Sequence, residues 1–113
     1  MIRPSSGWGR AKATDRYQEA LGYLQQAITL LPDDPAVIDS MGWVCYRLGQ
    51  NDKSLDYLRR AYQLSGDAEI AAHLSEVLWV SGRQQEARET WQHALEKEPS
   101  SEHLLKLKAR FGW

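Results

Sequence analysis

Asp34 to Gly49 reads DPAVIDSMGWVCYRLG, and Glu69 to Ala87 reads EIAAHLSEVLWVSGRQQEA. Laid over one another, the two stretches keep one register: Gly49 returns as Gly82, 33 residues on. Ile38, Met41, Gly42 and Tyr46 of the first correspond to Ala71, Leu74, Ser75 and Trp79 of the second. Working outward, Ala27, Ala61 and Ala94 lie 34 and 33 residues apart. A period of this size marks stacked units that each cover a neighbour's apolar face. From about Thr14 onward the apolar residues recur three and four apart, with no sustained alternation, so the units are helical.

Breakers divide the helices. The first is expected over about Asp15 to Leu31, carrying Tyr17, Ala20, Leu21, Leu24, Ala27, Ile28 and Leu31, and Pro32 ends it. Asp33 or Asp34 can cap the second, because a carboxylate accepts the free amide hydrogens of the first turn while Pro35 has none to offer. This helix runs to Leu48, Gly49 suits a left-handed stop, and Asn51 or Asp52 opens a third helix to about Leu64. After the turn Ser65-Gly66-Asp67, helices are expected over Ala68 to Val80 and Gln84 to Lys97, split by Ser81 and Gly82. Pro99 closes that pair. Ser100 or Ser101 then caps a last helix to about Arg110, with Leu104, Leu105 and Leu107 facing the pair before it. Met1 to Lys12, with Pro4, Gly7 and Gly9, reads as a flexible leader. The expected division is a leader over 1–13 and a repeat domain over 14–113, itself a half repeat 14–33, repeats 34–66 and 67–99, and a capping helix 100–111.

Small residues, large residues and breakers keep the same period: Ala20, Leu24, Ala27 and Pro32; Ser54, Leu58, Ala61 and Gly66; Ala87, Trp91, Ala94 and Pro99. In this the chain resembles the tetratricopeptide-repeat (TPR) family from about Tyr17 to its C-terminus. It departs from the family pattern at Cys45, usually Tyr, at Ile38, usually Trp, and at Gly66, usually Pro. The resemblance implies an all-α, right-handed superhelical solenoid of antiparallel helix pairs, about two and a half repeats plus a C-terminal capping helix. The two strings quoted first are similar to the closing repeats of large TPR proteins of Gram-negative bacteria, several of them outer-membrane lipoproteins. That implies a bacterial parent that faces the periplasm or is attached to the outer membrane, with the cytoplasm as the alternative.

Composition narrows the chemistry. Fourteen basic against fifteen acidic side chains give a net charge of -1, which provides no electrostatic footprint for nucleic acid or anionic lipid. Cys45 is the only cysteine, so an internal disulfide is impossible and a cysteine-based zinc site has too few ligands. Apolar runs such as Val77 to Val80 fall far short of the roughly 20 residues of a membrane span. Met1 to Arg10 has neither a signal peptide's apolar run nor a lipidation cysteine, so any export signal is expected outside this chain. There is no Gly-x-Ser-x-Gly elbow, phosphate loop or nucleophile motif, so no enzyme is expected and no cofactor.

Binding is the function expected instead. In the family the first helix of each pair lines the concave face, which here means Pro35 to Leu48 and Ala68 to Val80. Asp39, Trp43, Tyr46 and Arg47 share one helical face, as do Ala72, Glu76 and Trp79, with His73 beside them. Trp, Tyr and Arg are the types that dominate interface energetics. The candidate contacts with a protein or peptide partner are therefore Asp39, Trp43, Tyr46, Arg47, His73, Glu76 and Trp79. Core packing competes with groove exposure for Trp43 and Trp79, whereas Trp91, in the large-residue slot, is core. The carboxylate clamp of some relatives needs Lys and Asn where Asp39 and Trp43 stand, which disfavours acidic C-termini as ligands. His73, Glu76 and His103 lack the spacing of a known metal site, so a hydrogen-bonded histidine is expected and no metal.

The first helix has a second-helix signature with no first helix before it. Its face of Tyr17, Leu21, Leu24 and Ile28 is expected to find cover by self-association in a homodimer, by Trp8 folding back, or by upstream repeats. A structural role, capping a longer solenoid or self-associating with nothing on the concave face, is the alternative function.

Overall fold

The computed structural model describes residues 13–113. The expected leader and Trp8 lie outside the described residues. Six helices follow one another with no strand among the described residues: α1 (Ala13–Leu30), α2 (Pro35–Arg47), α3 (Asn51–Ser65), α4 (Ala68–Val80), α5 (Gln84–Lys97) and α6 (Glu102–Phe111). None is long and apolar enough to cross a membrane.

Local chemistry sets the boundaries. Of the two candidate aspartates it is Asp34 that caps α2, its Oδ1 accepting from the amides of Ala36 at 2.9 Å and Val37 at 3.4 Å, with Pro35 in the first turn. Asp67 does the same for α4 through the Glu69 amide at 3.0 Å. Ser101, not Ser100, caps α6 through the Leu104 amide at 3.4 Å. The hairpins α2–α3 and α4–α5 turn at Gly49 and Gly82, whose φ angles of 82° and 88° lie where a Cβ is strongly disfavoured.

α2 packs along α3, and α4 along α5, as antiparallel pairs, while α3 joins the pairs through α4. The core runs through the pairs as three connected groups: Ile38, Ala61 and Ile70; Leu55, Leu58, Leu74, Val77, Leu78 and Ala87; and Ala68, Ala71, Ala72, Trp91, Ala94, Leu104 and Leu107. Fully burying a Leu, Ile or Val stabilises by about 1.5–3 kcal/mol, so these groups supply the main driving force. Gly42 sits at the α2–α3 crossing. A Cβ built there would lie 2.7 Å from Leu58 Cγ and 3.2 Å from the Ser54 carbonyl oxygen, so only glycine permits this approach. Arg59 reaches both carboxylate oxygens of Glu86, at 3.2 and 3.0 Å, tying α3 to α5.

α6 lies mainly against α4 and touches α5 lightly. Leu104 and Leu107 are buried beneath it, and the Trp91 indole N–H donates to the Leu104 carbonyl at 2.8 Å. Leu105 does not face the pair as expected. It stands 42% exposed, because burying 104 and 107 rotates position 105 to the far side of the helix.

At the other end α1 packs, among the described helices, on α2. Its Ala20, Leu21, Leu24 and Ala27 are only half-buried, although the corresponding Ser54, Leu55, Leu58 and Ala61 of α3 are buried. Tyr23 and Leu30 are 67% and 80% exposed.

Candidate functional site

α2, α4 and α6 lie side by side on one face, and between them is a groove of about 290 Å³ lined by Trp43, Ala72, His73, Glu76, His103, Lys106, Leu107 and Arg110. Three of the seven candidate contacts, Trp43, His73 and Glu76, line this groove, and two more, Asp39 and Tyr46, are bonded to them. His73 Nδ1 lies 2.9 Å from Asp39 Oδ1, and the His73 ring stacks at 4.5 Å on Trp43, which in turn meets the Tyr46 ring at 5.2 Å. The Tyr46 hydroxyl donates to Glu76 Oε2 at 3.1 Å, and Arg110 Nη1 donates to Glu76 Oε1 at 3.0 Å.

The electrostatics follow from this packing. Burial by itself would lower the His73 pKa, but the hydrogen bond to Asp39 and the negative charges of Asp39, Glu69 and Glu76 outweigh it and hold the imidazole above its ordinary value. Burial pushes the Tyr46 phenol up, reinforced by the charge and hydrogen bond of Glu76. Glu76 was expected to be an exposed contact. It is instead 7% exposed, because a carboxylate beneath Tyr46 and Arg110 is satisfied from two helices at once.

The other two candidates point elsewhere. Arg47 reaches back to α1, its Nε donating to the Tyr17 hydroxyl at 3.1 Å with the guanidinium 5.6 Å from the Tyr17 ring centre. A residue of the expected groove thus meets one of the expected self-association face. Trp79 is covered by the C-terminal segment, stacked on Phe111 at 5.5 Å and met edge-on by Trp113 at 5.1 Å. Trp113 also meets Trp91 at 5.2 Å. Trp43 and Trp79 are both half-buried and both combine packing with exposure: Trp43 walls the groove, and Trp79, packed by Phe111 and Trp113, lines a separate cleft of about 400 Å³ with Gln84, Gln85, Arg88, Glu89 and Gln92.

Sequence reasoning missed the α6 side of the groove. His103, Lys106, Leu107 and Arg110 recur at three, one and three residues, a helical face that could have been read from the spacing. Lys106 is the groove-lining cation with no carboxylate partner among the described residues, since Arg110 is engaged by Glu76 and His103 lies 3.9 Å from Glu69.

No protein-family model matches the chain. A TPR repeat-containing protein of Pseudomonas aeruginosa is 49% identical over 70 residues, 62% of this chain. Small glutamine-rich tetratricopeptide repeat-containing protein 2 of Mycosarcoma maydis is 30% identical over 86% of this chain. The crystal structure of a thermophilic TPR protein of Thermus thermophilus superposes with a TM-score of 0.75 over 99% of this chain, at 28% identity. The chain belongs to the tetratricopeptide-repeat family. Its architecture is that of a TPR solenoid of about two and a half repeats closed by a capping helix. The TPR chain spans 12% of the Pseudomonas protein, 28% of the Mycosarcoma protein and 53% of the Thermus chain. TPR proteins are in general protein-interaction scaffolds.

Proposed function

We propose that the face formed by α2, α4 and α6 holds a segment of another protein, with Asp39, Trp43, Tyr46, His73 and Glu76 forming the α2–α4 wall and Lys106 the opposite rim. The observation that carries this reading is the Trp43 ring: a half-buried aromatic wall of an open groove beside a lysine with no carboxylate partner among the described residues. An aromatic platform with a charge next to it buries much area at low rotamer cost and orients what it holds. The reading has no catalytic step. We further assign the repeats to residues 34–66 and 67–99, with a half repeat over 14–33 and the cap over 100–111.

The test is affinity capture of binding proteins with the wild-type chain and with Lys106→Glu. Position 106 is exposed, so this substitution shifts stability by no more than about 0.5 kcal/mol. The proposal expects loss of the captured protein with an unchanged melt. Capture that survives both this variant and Trp43→Ala would exclude the groove.

A second reading is favoured by α1. Its Leu24 slot is half-buried where Leu58 and Trp91, in the same repeat position, are buried, and Tyr23 and Leu30 stand open. We propose that Leu21, Leu24 and Ile28, with Tyr17 at the edge, form a face that a second copy covers. Sedimentation over a concentration series tests it, and a monomer at every concentration would remove it.

A further inference from the structure

α2 and α4 meet directly at few points on the groove face. What joins them there is two polar ties and one ring contact: Asp39 to His73 at 2.9 Å, Tyr46 to Glu76 at 3.1 Å, and Trp43 stacked on His73 at 4.5 Å. His73 takes part in two of the three. We propose that the Asp39–His73 pair is a proton-operated latch between α2 and α4, which holds the groove narrow while the imidazole is protonated and lets it open when the proton leaves.

The inference rests on the groove being the binding surface and adds its regulation. The groups facing His73 come from all three helices. α2 contributes Asp39, Trp43 and Tyr46; α4 contributes Glu69 and Glu76; α6 contributes His103, Lys106 and Arg110 across the groove. Three carboxylates, Asp39, Glu69 and Glu76, face two permanent cations, Lys106 and Arg110, and two histidines. Among the described residues Arg110 is engaged by Glu76, Glu69 has only His103 as an ion-pair partner, at 3.9 Å, and Asp39 has only His73.

With His73 charged, Asp39 and the imidazolium form an ion pair in a setting where their side chains are 14% and 23% exposed, so solvent screens the attraction weakly. With His73 neutral, one uncharged hydrogen bond remains, and the charges of Asp39, Glu69 and Glu76 repel across the α2–α4 joint. Direct packing on the groove face is sparse, so the separation opens that face while the buried Ile38, Ala61 and Ile70 beneath it stay together as the pivot. Trp43 moves with the joint, so the aromatic wall of the groove follows the proton.

The experiment uses the full chain with no partner. Spin labels on Ala36→Cys in α2 and Leu105→Cys in α6, both exposed, in a Cys45→Ala background, give the α2–α6 distance as pH is raised. The His73 imidazole is titrated by nuclear magnetic resonance in parallel. The latch expects the distance to lengthen with the His73 midpoint, and to stay constant with pH in His73→Gln and in Asp39→Asn. A distance that stays fixed while His73 titrates would overturn it, as would an equal change in His73→Gln. Since no partner is needed, a moving joint with capture unaffected by Lys106→Glu and Trp43→Ala would keep the latch and remove the binding reading, and the reverse result would do the opposite.

Discussion

Gly42→Ala adds one methyl group where α2 crosses α3. The new carbon would sit 2.7 and 2.8 Å from Leu58 Cγ and Cδ2 and 3.2 Å from the Ser54 carbonyl oxygen. Leu58 is fully buried and has no free volume to retreat into, and the carbonyl belongs to the backbone of α3, so the helices must part. Overpacking of this kind costs about 1–3 kcal/mol. Against it, alanine in place of glycine inside a helix gains roughly 0.5–1 kcal/mol. The net expectation is a loss of about 0.5–2 kcal/mol, measured by urea denaturation with helical ellipticity as the signal. Gly22→Ala in α1 is the matched control: nothing lies within 4 Å of its Cβ, so the helical gain of about 0.5–1 kcal/mol should appear uncancelled. The opposite signs of the two substitutions isolate the crossing. In a Leu58→Ala background, itself destabilising by about 2–5 kcal/mol, Gly42→Ala should change sign and stabilise, because the clashing atoms are gone. Stabilisation by Gly42→Ala in the wild-type background would refute the close crossing.

Ala61→Leu and Ala94→Leu place bulk at other buried small positions and should each destabilise by about 1–3 kcal/mol, read as a lowered midpoint of thermal unfolding. Glu76→Ala strands the Tyr46 hydroxyl and frees Arg110, and should cost about 1–3 kcal/mol in urea denaturation; Arg110→Ala, 58% exposed, should cost less than about 1 kcal/mol. Because the His73 value is raised on folding, the pair's contribution should be fully present below the ordinary imidazole value of 6.5 and fade as pH rises through the folded value. A stability profile across that window should flatten in Asp39→Asn, and an unchanged slope would count against the pair. Far-ultraviolet circular dichroism should report a mostly helical chain, and substantial sheet content would contradict the fold.

The helices were legible because their signals are local. Asp34 with Pro35, Gly49, Gly82 and the three-and-four spacing act within one turn, so α4 and α5 begin and end where the sequence places them. The crossings were legible through repetition, since Gly42 and Ser75 lie 33 residues apart, as do Ala61 and Ala94, and all four are buried. The groove was half legible. Spacing placed Asp39, Trp43, Tyr46, His73 and Glu76 on the faces that meet, but exposure was misjudged at Glu76, whose burial depends on Arg110, 34 residues away.

By itself, then, the sequence determined which segments are helical, where each turns, and which small residues lie at the crossings, because capping, φ restriction and periodic burial are written in neighbouring residues. Only the tertiary structure decided which side chains share the groove and which lie under a cover. Trp43 and Tyr46 look alike in sequence to Trp79, yet Trp43 lines the groove shared with α6 while Trp79 packs against Phe111 and Trp113 and lines a separate cleft towards α5. The difference comes from α6, which settles on α4 and not on α2, and that choice depends on the shape of the whole stack, since only the last pair offers an uncovered apolar face to Leu104 and Leu107.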